Sequence, residues 1–257
     1  MRRNLLCVTA LLGGVFASYP LYAARPDSVN AVLPACTADC SPTFRVRQII
    51  VPTVLVATGA SCLFVPPMKE ANKAVNQRIK HWRGRPLRAD DYLQYVPVAS
   101  YLMMGSLGVP SKHSFPERFV MAATSYLAMG FVVNSLKHSI RNLRPDHSAY
   151  NSFPSGHTAT AFCGAELIRM EYGTGYGLAA YTAACGVGFL RMYNNRHWAK
   201  DVLVGAGIGI LSARASYWLH TSIGKWLHHT SNRKKTYLCT DLYNGVCNNP
   251  SRRRKLN

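Results

Sequence analysis

The sequence predicts an all-α protein, built as a bundle of about six core helices that is partly embedded in a membrane or associated with one. Long apolar segments recur along the chain, the alternating pattern of β-strands is scarce, and turn signals rich in proline and glycine separate the apolar segments. The 257 residues are enough for one bundle with a full core, and nothing in them requires a second domain.

Six apolar segments, each bounded by polar or turn-forming residues, supply the predicted helices. They lie at residues 49–66, 92–109, 119–136, 158–168, 175–190 and 202–219. Each of the first three holds about 18 uncharged residues, close to the shortest length that crosses a bilayer. The fourth and sixth are interrupted by charges, among them Glu166 and Arg214, which are costly in lipid. We therefore expect the later helices to form a soluble or only partly embedded bundle.

The composition divides the chain into four parts. They are a signal peptide at 1–23, a polar lead segment at 24–46, the helical bundle at 47–222 and a basic tail at 223–257. The first part joins two arginines to an apolar run that ends before the small residue Ala23, a pattern typical of export signals. An uncleaved membrane anchor is the alternative for this part.

A basic connector at 69–91 joins the first two apolar segments. Positively charged loops favour the cytoplasmic side of a membrane. We therefore expect the segments at 49–66 and 92–109 to cross as a pair around this connector, with the rest of the bundle peripheral.

Basic residues dominate the charge of the chain, with 30 Lys and Arg against 11 Asp and Glu and a formal net charge of +19. Such a balance indicates an anionic partner. Because the first segment indicates export, we expect a membrane with anionic lipid head groups and no nucleic acid. The cluster at 252–255 fits this interpretation, although a solvated tail is the alternative.

The eight cysteines fall into two groups. Two pairs lie in polar stretches and are candidate disulfides in an oxidising compartment, with other connectivities left open: Cys36 with Cys40, and Cys239 with Cys247. Cys62, Cys163 and Cys185 lie in apolar segments and are expected in the core.

Three polar stretches carry the residues that we expect to do chemistry. They run from Lys137 to Pro145, from Pro154 to His157 and from Arg191 to Asp201. Each lies at an end of a predicted helix, so the three are expected to converge on one rim of the bundle.

His197 and Asp201 are four residues apart, which places them on one face of a helix. The carboxylate then accepts a hydrogen bond from one imidazole nitrogen and leaves the other as a free lone pair, so His197 is a candidate nucleophile. Taken alone, the pair is better explained as a helix-terminal aspartate beside an incidental histidine.

Ser155, Gly156 and His157 have the composition of a helix start that binds an anion. Serine is a good N-cap, glycine lets a ligand approach the backbone, and the first amides of a helix attract negative charge. His157 would stand at the mouth of this cradle as a general acid. A plain cap with an exposed histidine is the alternative.

Lys137, Arg144 and Arg191 would hold the oxygens of a phosphate, because guanidinium groups grip several oxygens at once. The alternative for each is a charge at a helix end, which is how we interpret Arg141 and Arg196. No acidic cluster suited to Mg²⁺ accompanies these residues, which agrees with a site that uses neither a metal nor a cofactor.

Together the motifs Lys-x6-Arg-Pro, Pro-Ser-Gly-His and Arg-x5-His-x3-Asp resemble the signature of the type 2 phosphatidic acid phosphatase superfamily. This superfamily also holds bacterial class A acid phosphatases and vanadium haloperoxidases. The resemblance implies a haloperoxidase-like helical bundle and a metal-independent phosphatase. It departs from the family pattern at Leu190, where a serine is frequent.

The resemblance also implies a role for each motif residue. His197 would form a phosphohistidine while His157 protonates the leaving group, and Asp201 would orient His197. The phosphate would be held by five groups: Lys137, Arg144, Arg191 and the backbone at Ser155 and Gly156.

The wider runs at 151–162 and 191–198 are similar to bacterial lipid A phosphatases, the 4′-phosphate enzymes in particular. This implies a site facing the periplasm, in the periplasm or the inner membrane, a role in lipopolysaccharide remodelling, and resistance to cationic antimicrobial peptides. The alternatives are a phosphatidylglycerophosphate or undecaprenyl pyrophosphate phosphatase, a broad-specificity periplasmic acid phosphatase, and a bundle that only binds anionic lipid.

Overall fold

The structure is a computed structural model that describes the backbone of residues 46–247 and the side chains of residues 46–223. The expected signal peptide, the lead segment and the cysteines at 36 and 40 lie outside the described residues. So do the side chains of the expected basic tail, including those of Cys239 and Cys247. In the described part, Cys62, Cys163 and Cys185 are free thiols, and the first two are buried as expected.

Helices account for all the regular secondary structure of the described residues apart from one isolated bridge between Asn142 and Asn151. They are α1 (Arg47–Phe64), α2 (Pro66–His81), α3 (Asp90–Leu93), α4 (Val96–Met103), α5 (Phe115–Ser139), α6 (Gly156–Tyr172), α7 (Thr174–Tyr193) and α8 (Ala199–Cys247). The predicted all-α class is therefore confirmed. Helix α8 continues well beyond the expected end of the bundle at residue 222.

Helix α6 lies at the centre and packs against α4, α5, α7 and α8, while α8 also packs against α1 and α5. Small residues allow this close packing. A Cβ added to Gly205 would overlap the carbonyl oxygen of Ser155, and one added to Gly209 would overlap that of Ala159. Only glycine therefore lets α8 approach the first turns of α6 at these two positions.

The segment at 92–109 does not form the expected long helix. It forms the end of α3 and the eight-residue α4, separated by a turn at residues 94–95. Pro97 is the reason, because proline fits the first turn of a helix but not its interior. At about 1.5 Å per residue, α4 is too short to cross a bilayer, so the expected crossing pair is wrong.

Three described helices are long and apolar enough to cross a membrane: Arg47–Phe64, Phe115–Ser139 and Ala199–Ile223. The last was expected to stay out of lipid because of Arg214. In the structure, the Arg214 guanidinium pairs with the buried carboxylate of Glu166. Glu166 also pairs with Arg169 at 2.6 Å. The charges that interrupt the two segments thus compensate each other inside the bundle.

One end of the bundle, the motif end, gathers the end of α5, the start of α6, the end of α7 and the start of α8. At the opposite end, the start of α5 meets the end of α6, where the backbone N–H of His113 donates to Glu171 at 2.7 Å.

The basic connector also lies at the motif end, and part of it forms α2, which was not expected. Asn72 of α2 accepts a hydrogen bond from the backbone N–H of Lys200 at 3.0 Å, and Asn194 accepts one from that of Leu87 at 3.0 Å. The sequence predicted a cytoplasmic connector and a site on the periplasmic side of the membrane. Because the connector contacts the motif end, this predicted arrangement is wrong.

Candidate active site

The three motifs meet at the motif end, as their positions at helix ends predicted. Lys137 lies in the last turn of α5, and its Nζ atom is 3.8 Å from the place where a Cβ on Gly156 would lie. The charges of Arg144 and Arg191 are close enough to act on Lys137. Three cations from three separate segments therefore surround the start of α6, which is an arrangement suited to a phosphate.

His197 is buried, with 1% of its surface exposed, and the charges of Arg191 and Arg144 act on it. Its Nδ1 atom lies 2.7 Å from the carbonyl oxygen of Ser152. A carbonyl oxygen only accepts hydrogen bonds, so Nδ1 carries the proton and Nε2 keeps a free lone pair. The histidine is thereby held in the tautomer that a nucleophile requires.

Asp201 acts on His197 differently from the way its spacing indicated. His197 lies in the loop before α8, so the two residues do not share a helical face. The distance from His197 Nδ1 to Asp201 Oδ2 is 3.6 Å, longer than a hydrogen bond. That oxygen instead accepts from the Ser152 hydroxyl at 2.5 Å and from the backbone N–H of Trp198 at 2.9 Å. Asp201 thus holds both segments that position His197.

Ser155 is the N-cap of α6, as predicted, and its hydroxyl accepts from the backbone N–H of Thr158 at 3.4 Å. Its own N–H donates to the carbonyl of Asp201 at 3.0 Å, and the N–H of Ala159 is bonded to the carbonyl of Ser155. The first amides of a helix have no partner within it. The amides of Gly156 and His157 are therefore better placed to bind an anion than that of Ser155.

Two acidic residues of α3 complete the site. Arg191 donates to the buried Asp90 at 2.6 Å, and its Nη1 atom is 3.4 Å from Asp91. The Nε2 atom of His157 is 3.0 Å from Asp91 Oδ1. Sequence reasoning missed this pair, although two adjacent acids at the end of a strongly basic connector were a visible signal.

The other arginines near the site have separate partners. Arg196 pairs with Asp146 at 3.2 Å on the surface, in line with the interpretation of Arg196 as a charge at a helix end. Arg144 donates from Nε to the side chain of Asn151 at 2.9 Å. This bond orients the guanidinium of Arg144 and leaves its terminal nitrogens for other acceptors.

Burial lowers the pKa of His197, and the nearby carboxylate of Asp201 opposes that shift. Burial also lowers the pKa of His157, the charge of Arg191 adds to the effect, and Asp91 opposes it. A lowered pKa keeps His197 neutral at neutral pH, which is the state that attacks. For His157 the carboxylate of Asp91 is the group that favours the protonated, acidic state.

The region that carries the three motifs matches a known protein family. Residues 118–225, which contain all three motifs, match the model of the PAP2 superfamily. This region is a PAP2 superfamily domain. The resemblance found in the motifs is therefore confirmed.

Two curated relatives of the domain are lipid A 1-phosphatases. The protein from Porphyromonas gingivalis is 44% identical over 136 residues, which are 51% of this chain and 31% of that protein. The protein from Rhizobium etli is 30% identical over 103 residues, which are 34% of this chain and 43% of that protein. The chain thus spans less than half the length of these curated relatives.

A solved structure shares the fold of the PAP2 domain. It is the crystal structure of a transmembrane PAP2 type phosphatidylglycerolphosphate phosphatase from Bacillus subtilis. The superposition covers 68% of this chain and 97% of that chain, with a TM-score of 0.54 and 19% identity. The helical-bundle architecture is therefore that of a known membrane fold.

Proposed function

We propose that the chain is a phosphoric monoester hydrolase that removes a phosphate from lipid A through a phosphohistidine on His197. The observation that carries this proposal is the buried His197, fixed with a free Nε2 lone pair beside Lys137, Arg144 and Arg191. A neutral imidazole among cations attracts a phosphate group and is able to attack it.

In the first step, the Nε2 atom of His197 forms a bond to phosphorus while the bond from phosphorus to the lipid oxygen breaks. His157 transfers a proton to the departing oxygen, and the three cations stabilise the oxygens on which negative charge grows. The carboxylate of Asp201, 3.6 Å from the ring of His197, stabilises the positive charge that the ring acquires.

In the second step, His157 takes a proton from water, whose oxygen attacks phosphorus and releases His197. In the structure Asp91 contacts the Nε2 atom of His157. This contact must break before Nε2 exchanges a proton with the leaving group or with water. We propose that a substrate phosphate displaces Asp91, whose side chain is half-exposed and free to swing outward.

The position of the phosphate on lipid A is the finer part of the proposal. The sequence resemblance favoured the 4′-phosphate, whereas the curated relatives from P. gingivalis and R. etli are both named 1-phosphatases. We therefore propose the 1-phosphate as the first substrate and the 4′-phosphate as the alternative. The apolar helices that end beside the site support a lipid substrate over a soluble one.

The decisive experiment incubates the purified full chain with lipid A that bears phosphates at both positions. Mass spectrometry then reports the loss of one phosphate, and fragmentation of the product reports its position. Phosphatidylglycerophosphate, undecaprenyl pyrophosphate and p-nitrophenyl phosphate belong in the same panel. Unchanged lipid A, with rapid turnover of another member of the panel, would defeat the proposed substrate.

The nucleophile is tested by the change His197→Ala, for which we expect a loss of at least about 10³-fold in kcat, as for other essential nucleophiles. Labelled substrate quenched in alkali should leave an acid-labile phosphoryl group on the wild-type chain and none on His197→Ala. The matched control is His138→Ala, which removes an exposed histidine from the end of α5. A full rate in His197→Ala would show that another group attacks.

A further inference from the structure

An open cavity of about 340 Å³ with a mixed polar and apolar lining lies beside the site. It is bordered by the end of α1, the first half of α2, the loop after α5 and the start of α8. Its lining carries three lysines and two asparagines and no acidic residue: Lys69, Asn72, Lys73, Asn142 and Lys200. Trp198 completes the wall next to His197 in the chain.

Lys200 is the central group of this cavity. Only 7% of its surface is exposed, and within the described residues its Nζ atom has neither a hydrogen bond nor a carboxylate within 4.0 Å. Its nearest recorded partner is the ring of Phe153, 5.9 Å from Nζ. The adjacent Asp201 turns its carboxylate toward Ser152 and Trp198 instead. The charge of Asp201 still acts on Lys200, but no carboxylate lies within 4.0 Å of the ammonium group in the described residues. An anion in the cavity would therefore stabilise this largely buried side chain.

Two further groups at the cavity are ready to bind an anion. The Nδ2 atom of Asn142 is buried without a hydrogen-bond partner. The charge of Lys69 acts on Lys200, and the two like charges repel each other. Lys73 is already paired with Glu70 at 2.9 Å on the exposed side of α2. An anion in the cavity would satisfy the amide of Asn142 and relieve the repulsion at once.

We infer that this cavity binds a lipid phosphate other than the one that is hydrolysed. Its wall includes the end of α1, a helix long enough to cross a membrane, which places the cavity at the level of lipid head groups. The phosphate has two sources, namely the second phosphate of the same lipid A molecule and the head group of a neighbouring anionic phospholipid. The first source rests on the proposed function, and the second does not.

The test uses the His197→Ala chain, which does not consume its substrate, in nanodiscs of neutral phosphatidylcholine. Three probes are added in turn: lipid A with two phosphates, lipid A with the 1-phosphate alone, and phosphatidylglycerol. We expect Lys200→Met to weaken binding of the two-phosphate lipid about 10-fold and that of the one-phosphate lipid little, as for loss of one charge-assisted contact. The matched control Lys80→Met removes an exposed lysine of α2 that does not line the cavity.

The two possible sources of the phosphate are distinguished by which probe binds less tightly to Lys200→Met. A lost preference for two phosphates identifies the second phosphate of lipid A, and weakened phosphatidylglycerol binding alone identifies a neighbouring lipid. Binding of all three probes that is the same in Lys200→Met and Lys80→Met would overturn the inference.

A second variant and a stability measurement show whether weaker binding by Lys200→Met comes from the cavity or from misfolding. Asn142→Asp places a carboxylate in the cavity wall, where it would neutralise Lys200, and we expect it to weaken binding as Lys200→Met does. The melting temperature of Lys200→Met should change little, because Met retains the apolar stem and no hydrogen bond or ion pair of the Lys200 side chain within 4.0 Å is lost in the described residues. A wild-type chain that binds two-phosphate lipid A through Lys200 but never hydrolyses it would refute the proposed function. The inference that the cavity binds a lipid phosphate would still hold.

Discussion

At the scale of single residues, the contact between His157 and Asp91 is the feature that sequence motifs do not reveal. The motif supplies the histidine, and the structure adds a carboxylate from another segment 3.0 Å away. Burial and the charge of Arg191 both lower the pKa of His157, which would leave the proposed general acid deprotonated at neutral pH. Asp91 works against both effects.

The change Asp91→Asn tests this role through the pH dependence of kcat/KM. Removing the negative charge lowers the pKa of His157 further, because the protonated ring loses its stabilising partner. Activity that requires protonated His157 is lost as the pH rises through that pKa. We therefore expect the alkaline limb of the profile to move to lower pH in Asp91→Asn.

In the proposed mechanism, the acidic limb of the same profile belongs to His197, which must be neutral to attack. Its own lowered pKa places this limb below the usual range of histidine, and Asp91→Asn should leave it in place. Glu70→Gln is the control, since it removes an exposed acid of α2 that pairs with Lys73. An alkaline limb that stays in place in Asp91→Asn would argue against the proposed role of the carboxylate.

At the scale of elements, the four-residue helix α3 ties the connector to the end of α7. Asp90 of α3 is buried and accepts from Arg191 at 2.6 Å and from the side chain of Asn194 at 3.1 Å. Arg191 is itself 6% exposed. A buried charge that loses its partner is strongly destabilising, so this tether should matter for folding as well as for phosphate binding.

We expect Asp90→Asn to lower the free energy of unfolding by about 3 kcal/mol, because the buried Arg191 then keeps only its longer contact, at 3.4 Å, with the half-exposed Asp91. Asp91→Asn is the matched control, since it changes the neighbouring acid, whose side chain is 53% exposed. That change should cost less than about 1 kcal/mol, as is usual for exposed ion pairs. Thermal unfolding of both variants in detergent measures the difference. Equal stability of the two variants would contradict the proposal that the contact between Asp90 and Arg191 stabilises the fold.

The elements that the sequence predicted well are those with continuous apolar runs. Helices α5, α6, α7 and α8 each contain one of the predicted segments, and α1 covers another except for its last two residues. These segments were predictable because an apolar run bounded by turn signals is local information. Helix α2 was missed because it has no apolar run, and the residues that it buries are the polar Asn72 and Asn76. The break before α4 was missed because the apolar run at 92–109 was interpreted as one helix, although Pro97 within it marks a helix start.

In the candidate site, too, local features were predictable from the sequence and contacts between distant segments were not. Every motif residue from Lys137 to Asp201 was found from the sequence, because the motifs are short and each is local. The pairs that hold them join distant parts of the chain: Asp90 with Arg191, Asp91 with His157, and Ser152 with His197. The hydrogen bond that fixes His197 ends on a backbone carbonyl, which no side-chain pattern encodes.

At the scale of the whole molecule, α1 and α5 both run toward the motif end, and α8 runs away from it. If these three helices cross a membrane, the motif end and the connector share one side, and the loop at 104–114 faces the other. The basic connector alone would indicate the cytoplasm. A lipid A substrate reached after export requires the periplasm. The charges of the connector also border the site and the lysine-lined cavity, so they have a second explanation as groups that attract anionic lipid.

Cysteine labelling in intact cells with a membrane-impermeant maleimide decides between these sides. We expect Gln77→Cys in α2 and His147→Cys beside the motifs to react from the periplasm, and Ser111→Cys to react only after lysis, because all three positions are exposed and the last lies at the opposite end. The chain without an added cysteine gives the background. Reaction of Gln77→Cys and His147→Cys only after lysis would place the site in the cytoplasm. Reaction from opposite sides would contradict the packing of the connector on the motif end.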